Sequence, residues 1–282
     1  MLIDLHTHST ASDGSFSPEE LIDYALEIGV DIIALCDHDT TAGLNSFLQY
    51  SNTKTLKAIP GVELSATWKK GNCHIVGLGV SDNYAPLESV LQQIRDSRDN
   101  RNELIIRKLN ELGIAISLDT VEALAGGDVV ARPHIARIML QRGYVSSVQE
   151  AFDKYLAKGA PAYIDRYRLD PEKAVALLKE AGALPVLAHP SQLQLPNERI
   201  DSLVEKLKPY GLAGIEVYTP YTDDNDIAPY CAIADRYGLF ISGGSDFHGE
   251  SKPDHYLGYY RKETPIPIKG TKSILKILNC PV

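Results

Sequence analysis

Leu2-Ile3-Asp4-Leu5-His6-Thr7-His8-Ser9, residues 2–9, decides how the rest of the chain is read. Leu2, Ile3 and Leu5 form an apolar run too short for a helix, the pattern of a buried strand. His6 and His8 follow at once, two positions apart. In extended chain such residues project to the same side, and paired imidazoles at a strand end suit a divalent cation. Asp37-His38-Asp39 and Asp246-Phe247-His248 carry the same ligand types, the last from the opposite end of the chain. One site can use both ends only if the sheet closes on itself. A polynuclear metal hydrolase is the leading expectation.

Further short runs rich in Ile, Val and Leu read as strands: 31–35, 58–62, 73–79, 184–188, 214–217 and 239–242. Helical patterns separate them. Ser17, Pro18 and Glu20 make a capping box with proline in the first turn. Leu21, Ala25 and Ile28 share one face, and Gly29 ends the helix. Asp170-Pro171 opens another helix, running to Gly182. Strands separated by helices pair in parallel with both faces covered, so the fold class is α/β, and seven strands in that arrangement suggest a (β/α) barrel rather than an open sheet. From Ser81 to Tyr163 the rhythm changes to helix: 86–112, 118–125, 133–141 and 147–156. The expected domains are a barrel of 1–80 and 164–282 and an inserted helical cap of 81–163. The tail, 264–282, reads as a strand and a short helix packed on the barrel.

The chain has 282 residues, enough for one such barrel, and a net charge of −9. That balance argues against non-specific binding to duplex DNA. Four widely spaced cysteines with no Cys-x-x-Cys pair indicate neither a disulfide framework nor a zinc finger, which suits a reducing cytoplasm. Neither a signal peptide nor a membrane span is expected, and no obligate protein partner is indicated.

The ligand-type residues fall at successive strand ends, where functional groups of parallel barrels collect. His6 and His8 leave the first strand, His38 the second, Glu63 the third and His189 the run 184–188; Asp246 and His248 follow the last. Asp13 sits in a Ser-Asp-Gly turn near the first strand. His74 begins an apolar strand and needs a hairpin before it to reach the same end. Any one of these residues alone is better explained as a turn or a hydrogen-bonded loop; the joint pattern is not.

The motifs His6-Thr7-His8-Ser9, Asp13-Gly14, Asp37-His38-Asp39, Gly61-Val62-Glu63, His74, Ala188-His189-Pro190 and Ser245-Asp246-Phe247-His248 together resemble those of PHP-domain phosphoesterases, relatives of the amidohydrolases. The resemblance spans essentially the whole chain. It implies a distorted seven-stranded barrel holding two or three divalent ions. One ion would take His6, His8, Glu63 and Asp246, a second Asp13, His38 and His248, and a third Glu63, His74 and His189. Some relatives have histidine where Asp13 stands. The harder oxygen ligand favours manganese, with magnesium, iron or zinc as alternatives.

Ala131-Arg132-Pro133-His134-Ile135-Ala136, set in a helical insert, is similar to the branch that dephosphorylates 3′,5′-bisphosphonucleosides and in some members trims short RNA from the 5′ end. The expected substrate is therefore a small nucleotide, with short single-stranded RNA as a second class. Arg132's planar fork matches a phosphate edge, and His134 would clamp the same group or protonate the leaving alkoxide. Glu216 and Tyr218, at a strand end, are candidates to touch the base or ribose. Asp39 would orient a ligand histidine. Arg95, Arg98 and Arg101, interleaved with Asp96, Asp99 and Glu103, read as a solvated, salt-bridged helix face, and His255 as a surface residue. The competing functions are a phosphatase for another monoester, of histidinol phosphate type, and a non-catalytic metal-binding module.

Overall fold

Seven strands form one sheet in sequence order: β1 (Leu2–Thr7), β2 (Val30–Leu35), β3 (Lys57–Ala66), β4 (Cys73–Leu78), β5 (Leu184–Leu187), β6 (Gly214–Tyr218) and β7 (Phe240–Gly243). This computed structural model describes residues 1–81, 85–125 and 130–280. The pairs β1–β2, β2–β3, β5–β6 and β6–β7 are parallel, and β4 runs antiparallel to both β3 and β5. The architecture is a mixed, mostly parallel α/β sheet.

The two edge strands meet. Thr7 bridges Phe247 in parallel, and His8 N donates to Phe247 O at 2.9 Å. The seam is sealed by a buried carboxylate: Asp4 accepts from Ser245 N at 3.0 Å, Ser245 Oγ at 2.5 Å and Gly258 N at 2.7 Å. Burial outweighs these bonds and lifts the Asp4 carboxyl to about 6. Gly244 makes the approach possible, because a Cβ there would run into His6 Cβ and come within 2.7 Å of its amide nitrogen.

Two compact units divide the chain, Met1–Glu88 with Arg168–Val282, and Ser89–Tyr167. The helices are α1 (Pro18–Glu27), α2 (Leu44–Ser51), α3 (Ala85–Glu111), α4 (Leu118–Ala125), α5 (Arg132–Gln141), α6 (Val148–Ala151), α7 (Pro171–Glu180), α8 (Asn197–Leu207), α9 (Asp224–Tyr237) and α10 (Ile268–Ile277). At the start of α1, Glu20 N donates to Ser17 Oγ and Ser17 N to the Glu20 carboxylate. Gly29 takes the left-handed φ of +80° that stops the helix. The first unit packs Ile3, Leu5, Ile32, Val76, Val186, Ile274 and their neighbours into one core, with α10 of the tail contributing to it. The second unit has its own core, including Ile105, Leu109, Ile135, Met139 and Leu156. No helix among the described residues is long and apolar enough to cross a membrane.

Three details depart from the sequence reading. β3 runs on through Ala66 rather than stopping at Val62, because its second half pairs with β4, Ser65 facing His74. The stretch after α6 is a π-helix, Phe152–Leu156. Arg98 and Arg101, expected on a solvated face, are buried. Arg101 donates to Asn102 Oδ1 at 2.7 Å and Asn102 to Val130 O at 2.9 Å.

Candidate metal centre

Glu63 stands at the middle of the site. It lies on β3, fully buried, and its carboxylate faces five imidazoles. Oε2 is 3.3 Å from His6 Nε2, 3.4 Å from His8 Nε2 and 2.9 Å from His38 Nδ1. Oε1 is 2.9 Å from both His74 Nδ1 and His189 Nε2. The antiparallel turn of β4 is what brings His74 here, since it reverses the strand and sets its start beside the C-terminal ends of its neighbours.

Asp246 Oδ1 approaches His8 Nε2 at 3.1 Å and His6 Nε2 at 3.7 Å. Asp13 Oδ1 is 3.2 Å from His248 Nε2, and its Oδ2 is 4.0 Å from His38 Nε2. Three groupings of donors are close enough to share an ion: His6, His8, Glu63 and Asp246; His8, Asp13, His38 and His248; and His38, Glu63 and His74. His189 Nε2 sits 3.3 Å from His74 Nδ1, which attaches it to the last group. All nine residues picked out as candidate ligands in the sequence therefore converge, with His8, His38 and Glu63 each reaching two groups.

The donor chemistry fits divalent cations. Nε2 of His6, both ring nitrogens of His8, Nδ1 of His38, Oε2 of Glu63 and Nε2 of His248 are buried without a hydrogen-bond partner. Buried polar atoms left unbonded are costly, and here they face one another. Burial raises the carboxyls of Glu63, Asp13 and Asp246, but the surrounding imidazoles, and Lys252 at Asp246, hold all three well below the usual carboxylate range. Burial drives His74 down to about 4 and His8 well below its ordinary value, so both are neutral lone-pair donors. Burial opposes protonation of His6 and His38, yet Glu216 and Glu63 raise His6, and Glu63 and Asp13 raise His38 to about 9. The anionic cluster demands positive charge, which protons supply when no cation does.

Backbone and outer partners hold the donors. Asp39, His189 and Asp246 adopt positive φ of 55°, 26° and 49°, a strained region that the surrounding bonds must over-determine. Asp37 accepts from Ser9 N at 2.8 Å, Ser9 Oγ at 2.6 Å and Ser12 Oγ at 2.5 Å, fixing the loop that carries Asp13. Asp39 accepts from Ser65 N at 2.9 Å and Oγ at 3.0 Å, which pins β2's exit to the extended end of β3.

Glu216 and Tyr218 are placed differently from the sequence expectation. Glu216 is buried with both oxygens engaged: Oε1 lies 2.9 Å from His6 Nδ1 and Oε2 accepts from His189 N at 2.7 Å. It holds His6 and the His189 backbone rather than lying open to a base or ribose. A charged residue inside the apolar run Gly214–Val217 was the signal, because a buried carboxylate needs a fixed partner. A register irregularity between Glu216 and Tyr218 breaks the strand's alternation, and Tyr218 packs edge-on against Tyr260 with ring centres 5.4 Å apart. His255, read as a surface residue, is half-buried, its Nδ1 2.9 Å from the Asp246 carbonyl. Tyr221 and Lys252, which sequence spacing did not single out, both donate to Asp246 Oδ2, at 2.6 Å and 2.5 Å.

Arg132 and His134 open α5 in the second unit. Arg132 Nη1 donates to Leu156 O at 2.9 Å, and its guanidinium lies over the Phe152 and Tyr163 rings. His134 Nδ1 accepts from Ala131 N at 3.2 Å, completing the helix N-terminus.

A model of the PHP domain matches residues 4–165. The chain belongs to the PHP domain family. This PHP protein is 33% identical over 265 residues to the 3′,5′-nucleoside bisphosphate phosphatase of Chromobacterium violaceum, covering 94% of this chain and 93% of that one. It is 34% identical over 250 residues to the 5′-3′ exoribonuclease Rnm of Escherichia coli, covering 88% and 85%. Among solved structures it matches a protein assigned as a metal-dependent phosphoesterase in Bifidobacterium adolescentis, with a TM-score of 0.84 and 27% identity over 97% of this chain and 95% of that one. The PHP chain is a metal-dependent phosphoesterase.

Proposed function

We propose that this enzyme removes the 3′-phosphate of 3′,5′-bisphosphonucleosides, consuming water and releasing the nucleoside 5′-monophosphate and orthophosphate. The convergence of nine residues with nitrogen or oxygen donors, Glu63 at their middle and several buried without a hydrogen-bond partner, carries the reading. The similarity to a bisphosphate phosphatase over nearly the full length of both chains supports the substrate class. His6, His8, Glu63 and Asp246 would hold one divalent ion, Asp13, His38 and His248 a second, and Glu63, His74 and His189 a third. When bound, such ions lower the pKa of water, neutralise phosphate charge and stabilise the departing oxygen. Manganese is the metal we assign, from the hard carboxylate that Asp13 brings to the second group.

The protein's own part is to keep these donors fixed and the three carboxylates ionised. Glu216 keeps the proton of His6 on Nδ1, and the Asp246 carbonyl, 2.8 Å from His248 Nδ1, does the same for His248. Arg132 and His134 we assign to binding the phosphate, with His134 as a candidate to protonate the leaving oxygen. Trimming of short RNA from its 5′ end is a second activity, supported by the similarity to an exoribonuclease. The four cysteines are unpaired, in keeping with a reducing cytoplasm.

Phosphate release from 3′,5′-bisphosphoadenosine, adenosine monophosphate, histidinol phosphate and a short 5′-phosphorylated RNA, each with manganese, tests the assignment. The bisphosphate should be turned over fastest, with the monophosphate a weak substrate. Equal rates on the two nucleotides, or preference for histidinol phosphate, would overturn it.

A further inference from the structure

We infer that Tyr221 and Lys252 act together as a clamp that fixes Asp246 as a one-oxygen metal ligand. Asp246 presents two faces. Oδ1 looks into the centre, toward His8, His6 and His248, the last at 3.6 Å. Oδ2 looks away, into the Tyr221 hydroxyl and the Lys252 ammonium, which themselves lie 3.1 Å apart. The carboxylate is almost wholly buried, 3% exposed, whereas Lys252 is 32% exposed and reaches in from the rim. Two imidazoles secure the backbone behind it, with His248 Nδ1 and His255 Nδ1 at 2.8 Å and 2.9 Å from the Asp246 carbonyl. Tyr221 is braced in turn, edge-on to His189 and to His255.

These contacts solve a problem of geometry. A short aspartate side chain held at a positive φ has little reach, and a free carboxylate can swing to offer both oxygens to one ion. With Oδ2 taken by two donors, only Oδ1 remains for the centre. Tyr221 follows β6 and Lys252 follows β7, so the clamp ties two neighbouring strand ends to the same ligand. Both are positioning residues, acting through Asp246.

The inference rests on the metal-centre reading, and the test separates the two. Tyr221→Phe removes one hydrogen bond with no change of charge, and should weaken manganese binding to the full-length protein by about tenfold. Lys252→Met should alter the visible absorption of the cobalt-loaded protein through a changed ligand set, while Lys252→Arg, which keeps a charged donor, should leave the spectrum as in the wild type. Melting of the chelator-treated variants reports whether each still folds. Wild-type manganese affinity in Tyr221→Phe together with an unchanged cobalt spectrum in Lys252→Met would overturn the clamp. So would a rise in KM for the bisphosphate in Lys252→Met at unaltered metal affinity, which would place Lys252 on the substrate instead. His8→Ala is the control: if it too binds metal like the wild type, the metal centre itself is misassigned.

Discussion

Replacing Glu216 with glutamine keeps the volume of the side chain and removes one acceptor. In the native protein Oε1 faces His6 Nδ1 and Oε2 takes the His189 amide, so both oxygens meet donors. Glutamine has one oxygen for two donors. The His189 amide cannot turn away, because its backbone is fixed at φ 26° before the turn Pro190–Leu193, so the amide oxygen stays there. The glutamine NH2 then confronts His6 Nδ1 and forces the imidazole proton onto Nε2, the atom that faces Glu63 and Asp246. His6 is lost as a ligand. Changes to such outer partners cost roughly 10–100-fold in metal affinity, which is about 1.4–2.7 kcal/mol; removal of the lone pair puts Glu216→Gln at the upper end. Manganese titration by calorimetry, with metal content measured after dialysis, should show the ion shared by His6, His8, Glu63 and Asp246 weakened and the others retained. Turnover at limiting manganese should fall in parallel. Wild-type stoichiometry, affinity and rate in Glu216→Gln would refute the role given to this carboxylate.

His8→Ala or Asp246→Ala should abolish phosphate release while far-UV circular dichroism of the chelated protein stays native-like, since each belongs to the donor cluster and not to the apolar core; wild-type rates in either would contradict the site. Gly244→Ala should destabilise the protein by about 1–3 kcal/mol or more, as overpacking does, because a methyl there meets His6 at the barrel seam; an unchanged urea midpoint would show that the seam yields freely. Extraction with chelator should lower the melting temperature and eliminate turnover, both restored by manganese. At a free-ion concentration a hundredfold above Kd, one bound ion stabilises by about 2.7 kcal/mol, so a chelated protein melting with the loaded one would count against a bound ion.

Local rules made much of this molecule legible in one dimension. The seven strands stand where apolar runs alternate with helical patterns, because strand and helix periodicities are properties of neighbouring residues. Most of the donors were legible for a related reason: parallel strands deliver their C-terminal ends to one face, so a residue at or just past such an end is already committed to that face. Even His74, out of place at a strand start, announced that a reversal must precede it.

What the sequence could not decide is which neighbour each donor leans on. Glu216 and Tyr218 sit two residues apart and share a face by simple alternation, yet the irregularity in β6 turns one onto His6 and the other onto Tyr260. Tyr221 and Lys252 meet at Asp246 from separate loops, a juxtaposition with no counterpart in spacing. The sequence by itself determined where the strands fall, which residues are candidate ligands and that the sheet must close if those residues are to meet, since each follows from local patterning. Tertiary structure alone decided the closure at Gly244 and Asp4 and the partners that aim the ligands. Those depend on distances between strands far apart in the chain, which no local preference encodes.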